Sequence, residues 1–179
     1  MTEMPESNGM VAPERWIALL RVMVGFWFLK ALWTKLDLVL LGGVFPVLMV
    51  EPRWIEVMPK IAARQAADNP ILWYKTFVEG TVIPHAVLFA SLIAWGEALV
   101  GASLMLGLGA GRGALGGLFL SINYGIATWH VSPASQGFHY MLVVAMLVLL
   151  LARSGRAWGL DARLARRRPG AWFTRRPIA

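Results

Sequence analysis

Residues 83–108, IPHAVLFASLIAWGEALVGASLMLGL, form a long run of apolar and small residues that holds one histidine near its start, His85, and one acid, Glu97. An α-helix rises about 1.5 Å per residue, and the hydrocarbon core of a bilayer needs about 20 such residues to cross it. This stretch is long enough and apolar enough to span. It is read as helix 2 of a membrane bundle, and the rest of the chain follows from it.

Three further runs have the same character. Helix 1 is expected over about 16–33 (WIALLRVMVGFWFLKALW), helix 3 over about 114–131 (ALGGLFLSINYGIATWHV) and helix 4 over about 137–152 (GFHYMLVVAMLVLLLA). The fold class expected is therefore all-α, a four-transmembrane-helix bundle. Between helices 1 and 2 lies an outer-face insertion, 38–82. Its first part, 38–50, holds Gly42, Gly43 and Pro46 and is too short to cross; it is read as a bent extension, a re-entrant piece or an interfacial segment. Residues 51–82 carry four basic and four acidic groups and are read as one or two amphipathic helices lying on the bilayer, with Pro70 opening a helix that leads into helix 2.

The whole composition agrees. Of 179 residues, 58% are hydrophobic and 15% charged, and the mean hydropathy is +0.59, well above a soluble domain's apolar share. The absence of cysteine removes disulfides and thiolate sites. The net charge of +7 sits entirely after residue 152, where eight arginines face one acid, Asp161. That tail, 153–179, follows an apolar run and is read as a cytoplasmic anchor against anionic lipid rather than a nucleic-acid site, for no nucleic-acid-binding motif accompanies it. Residues 1–15 are polar and acidic, unlike a signal-peptide start, so the first apolar run is expected to remain as an anchor. Arginines in the 109–113 turn and in the tail, against an uncharged 132–136 loop, place both termini in the cytoplasm of a bacterial cell with an inner membrane.

Small residues recur every fourth position on helix 2 (Ala94, Ala98, Ala102) and helix 3 (Gly117, Ser121, Gly125). Such rows let membrane helices approach closely.

An ionisable group midway along a membrane helix marks a functional site by default. Glu97 lies about 16 Å from the cytoplasmic end of helix 2 and Asn123 about 15 Å along helix 3, with Arg21 about 8 Å into helix 1. The three are read as one buried polar cluster, either a structural clamp or a proton or quinone site. Lys30 is expected to snorkel to the outer interface. His85, His130 and His139 all fall near the outer face, as interfacial histidines bonded to loop carbonyls or as the lining of a quinone or polar-substrate site. No metal site is assigned and no second membrane carboxylate supports a di-iron centre. The nine tryptophans are read mainly as interfacial anchors.

Several of these residues resemble the DoxX-type membrane proteins. Arg21, Gly25, Lys35 and Leu36 match the family's opening helix. Glu97, Gly101, Leu104, Gly107, Leu108 and Arg112 match its second-helix pattern, and Gly155, Arg156, Leu160 and Asp161 match its terminal run. Leu32 departs from a glycine often found there, and the long insertion is more similar to the branch related to the thiosulfate:quinone oxidoreductase membrane subunit. The resemblance implies a four-helix membrane bundle and links to quinone-dependent sulfur oxidation or oxidative-stress complexes. The shortage of catalytic groups, the tryptophan-rich surface and the extramembrane segments suited to docking give the expected function, that of an accessory subunit of a larger respiratory or photosynthetic membrane complex. The alternative is a quinone-linked oxidoreductase subunit with quinone as its cofactor. The expected partners are the lipid bilayer and other membrane-protein subunits.

Overall fold

The computed structural model describes residues 12–168. Its long helices are α1 (Pro13–Leu29), α5 (Ala86–Leu106), α6 (Ala110–Thr128) and α7 (Pro133–Leu151). They pack side by side, α1 against α5, α5 against α6, α6 against α7, and α7 back against α1. α1 continues past a break at Lys30 into a single turn, α2 (Ala31–Thr34). Three segments are long and apolar enough to cross a membrane: Pro13–Thr34, Ala86–Leu106 and Pro133–Leu151. α6 is as long as α7, but its glycines, Arg112 and Asn123 dilute its hydropathy.

The helices begin and end where their local chemistry dictates. Proline opens α1 and α7 at the first turn, where its missing N–H costs nothing. Ser132 caps α7 by accepting the Ser135 N–H at 3.1 Å. The 132–136 segment expected as a loop is therefore the first turn of a helix. Gly107, at φ 60°, ends α5, and α6 starts at Ala110, so the expected 109–113 turn is already helical.

The all-α expectation needs correction. Residues 36–50 form an antiparallel hairpin of β1 (Leu36–Leu41) and β2 (Phe45–Val50). Gly42 and Gly43, at φ 63° and 75°, close the turn, and positive φ at both centres matches the natural twist of a hairpin. The segment neither bends back as a helix nor re-enters as one. After it come α3 (Pro52–Ala67) and α4 (Leu72–Phe77), followed by a π-helical turn over Val78–Val82 that runs into α5. α3 is amphipathic as expected, but its apolar side packs on the other helices: Met58 and Ala66 are buried with Val78, Val82 and Ala90.

The main core joins Val24 and Phe28 of α1, Val100 and Leu104 of α5, Ala114 of α6, and Leu142, Met146 and Leu149 of α7. Close approach depends on glycine. A methyl group at Gly25 would stand 2.8 Å from the Met105 backbone nitrogen, and one at Gly101 would strike the Leu29 backbone. Gly117 lies against Met146 and Val100. Outward, α1, α5 and α7 present large exposed side chains, among them Met23, Phe26, Leu88, Leu99, Met141 and Val144.

After α7 a 3₁₀ turn, Ser154–Arg156, leads into α8 (Leu160–Arg167). Trp172, Arg175 and Arg176 lie outside the described residues.

Candidate functional site: two buried polar centres

Glu97 is 6% exposed in the middle of α5. One of its oxygens takes the Lys35 ammonium at 2.7 Å, and the other accepts the Tyr124 hydroxyl at 2.5 Å. The ammonium also lies 4.3 Å from the Trp54 ring centroid, and the Trp54 indole N–H donates to the Ala90 carbonyl at 3.0 Å. Four elements therefore meet at one carboxylate: the end of α2, α3, α5 and α6. Each polar group has its partner within the group, which is the condition for holding a charge in an apolar interior.

Lys35 reaches this depth because of where α2 ends. Ala31 and Leu36 are buried with Ala94 and Ala98, so the first helical segment stops level with the middle of α5. The outer half of α5 is covered by α3 and the base of the hairpin instead.

The expected cluster of Arg21, Glu97 and Asn123 does not assemble. Asn123 spends its amide on the Phe119 carbonyl one turn back, at 2.8 Å. Tyr124, one position and roughly 100° further round the helix, takes the place expected for it. Arg21 belongs to a second centre, at the C-terminal end of α5. It is fully buried and donates to the Trp158 carbonyl at 3.3 Å, and its guanidinium lies against Gly107 and Gly159. Beside it Asp161, 2% exposed, accepts the N–H groups of Gly109 at 2.8 Å and Ala110 at 3.0 Å. Its own N–H donates to the Gly107 carbonyl at 2.8 Å. A carboxylate at the start of α6 satisfies the orphan donors of that helix end and complements its dipole.

The packing rows divide between partners. Ala94 and Ala98 are buried against Ala31 and Leu36, while Ala102 is half-buried. Gly117, Ser121 and Gly125 face α7: Gly117 meets Met146, and a methyl group at Gly125 would come 3.5 Å from His139 Cβ. Ser121 bonds back to Gly117 O at 2.6 Å. Lys30 stacks on Trp27, 3.4 Å from its ring centroid.

The histidines stay separate in role. The exposed His85 bonds the Thr81 carbonyl at 2.9 Å. His139 stands edge-on to Tyr124, ring centroids 6.4 Å apart, and lines an open groove of about 220 Å³ between α6 and α7 with Trp129, Gln136, Tyr140 and Val143. His130 lines no part of that groove. Among the described residues no three His, Asp or Glu side chains are placed to share a metal ion.

The hairpin is the other unusual surface. Leu38, Leu40, Leu41, Val44, Phe45 and Met49 are all at least half exposed, Phe45 at 72%. Asp37 is the only charge within it. Each strand has one edge without a neighbour.

No protein-family model matches the chain, and neither the curated proteins nor the solved structures contain a match to it.

Proposed function

We propose that this chain is a DoxX-like integral membrane protein that serves as a non-catalytic accessory subunit of a larger energy-converting complex in a bacterial inner membrane. Its apolar hairpin is the docking element. The observation that carries this is the hairpin's double mismatch with any simple solvent. Water would meet a row of large apolar side chains on both faces. Hydrocarbon would meet unpaired N–H and C=O groups along both strand edges, each costing several kcal/mol, on the order of 2–7, if left unbonded. A partner protein that adds a strand or an apolar wall removes both penalties.

The two buried centres support the same reading. Both oxygens of Glu97 and both of Asp161 are engaged within the chain, which suits structural clamps. Residues on which the DoxX resemblance rests also stand together in pairs: Lys35 with Glu97, Gly25 with Leu104, Arg21 with Gly107, and Gly155 with Asp161. In this reading α6 is a fourth crossing. It matches α7 in length, lies between α5 and α7, and turns Leu115, Phe119 and Ile122 outward. The arginines that follow α7 support a cytoplasmic side for that end and for the start of α1, by the positive-inside rule.

The test is purification from native membranes with an affinity tag, comparing the natural chain with Leu40→Lys/Phe45→Lys. The expected result is co-purifying membrane subunits that the variant loses while still eluting as a single, unaggregated peak. A natural chain that purifies alone and stable would sink the reading.

A second reading, a quinone-linked oxidoreductase subunit, has one observation in its favour. The α6–α7 groove is lined by His139, which adjoins Tyr124 and, through it, Glu97. Retention of full quinone reduction by an assembled complex carrying Glu97→Gln and His139→Phe would remove it.

A further inference from the structure

The tail beyond α7 enters the described structure as a fixed element. Asp161 holds the start of α8 on the Gly109 and Ala110 N–H groups. Its backbone bond to Gly107 and the Arg21 bond to Trp158 add two more ties. Glycine makes the seat possible: a methyl group at Gly155 would collide with the Asp161 carboxylate, and one at Gly159 with the Gly155 carbonyl. α8 therefore cannot swing freely below the bundle. It is set at the level where α5 ends, α6 begins and α7 ends.

Its two sides differ. Leu160 and Leu164, one turn apart, are half-buried, whereas Arg163, Arg166 and Arg167, and Arg168 just beyond, are exposed. These four make no salt bridge among the described residues. From Glu97 to Arg168 the sequence contains one other acid, Asp161, and its charge is spent on backbone donors. Trp158 is 67% exposed beside them, with its backbone in the left-handed region at φ 52°. Tryptophan side chains favour the boundary between head groups and acyl chains.

We propose that α8 is a docking surface for anionic phospholipid head groups, with Arg163, Arg166, Arg167 and Arg168 taking lipid phosphates and Trp158 set at head-group depth. Charge complementarity and the position of the helix both point to this partner. Guanidinium groups form paired, charge-assisted bonds to phosphate, and a basic amphipathic helix at the end of membrane spans meets the negative leaflet directly. The inference rests on the membrane-embedded reading above.

Full-length protein in detergent, offered equal phosphatidylglycerol and phosphatidylcholine, is examined by native mass spectrometry. The natural chain is expected to retain phosphatidylglycerol over phosphatidylcholine by roughly tenfold. Replacing all four arginines by glutamine should abolish that preference, and replacing them by lysine should keep most of it, since the charge survives. All four side chains are exposed, so neither change disturbs the seat of Asp161; an unchanged elution volume checks it. Equal retention of the two lipids, or an undiminished preference in the glutamine variant, overturns the proposal. So does displacement of phosphatidylglycerol by millimolar inorganic phosphate or a short single-stranded oligonucleotide, which would assign the arginines to a soluble anion. Release of the protein from its membranes by alkaline carbonate would instead sink the embedded reading itself.

Discussion

Glu97 and Asp161 are both buried carboxylates, yet they are held by opposite means. Glu97 is met by two side chains, Lys35 and Tyr124, that arrive from distant elements. Asp161 is met by main-chain N–H groups at the start of α6. A side-chain clamp depends on which residues stand at its positions. A backbone clamp depends on how closely the chain can approach, which is why Gly107, Gly155 and Gly159 crowd around it. The first centre carries an ion pair in an apolar setting and fails by losing a partner. The second fails by losing space.

The comparison breaks most sharply at Lys35. Lys35→Met leaves the Glu97 charge buried with one hydrogen bond, and is expected to destabilise the fold by about 3–5 kcal/mol, as for a broken buried pair. The double variant Lys35→Met/Glu97→Met removes both charges and should recover most of that loss; chemical unfolding in mixed micelles measures both. If the double variant is as unstable as the single one, the pair is not the clamp described. At the other centre, Asp161→Asn turns an amide N–H₂ toward one of two backbone donors. It should cost about 2 kcal/mol, and protease should cut near α8 sooner. Tyr124→Phe withdraws one hydrogen bond and leaves the ion pair whole, for an expected loss of about 1.5 kcal/mol. The smallest effect belongs to Asn123→Ala, expected to stay within about 0.5 kcal/mol. A large loss there would restore the cluster that the sequence alone implies.

Much of the bundle is legible from apolar run lengths, and Glu97 stands out because acids are costly inside such runs. Its partners do not stand out, for a reason of depth. Counting 1.5 Å per residue assumes that helices 1 and 2 end level with each other, which brings Arg21 toward Glu97 and leaves Lys35 outside. In the structure the first segment stops halfway along α5, so Lys35 is the residue at that level. Asn123 rather than Tyr124 is the natural choice from sequence because amides are more often membrane glue than phenols are, and depth alone does not tell which face of a helix is turned inward. The hairpin does carry a signal, two six-residue apolar strands about a Gly-Gly pair. The shortness of the run and the membrane context point instead to a broken helix. Asp161 stands out only through the resemblance of its run to the DoxX terminal pattern; its role as a cap exists only once α8 has folded back onto the start of α6.

The Lys35–Glu97 bond also has a place in time. The lysine is synthesised first, and its acid follows about sixty residues later. At translation rates of about 5–20 residues per second, that interval is roughly 3–12 s. Through it Lys35 has no Glu97 to pair with. The pair can close only after the hairpin, α3 and α4 have been made, so the order of chain growth is written into it.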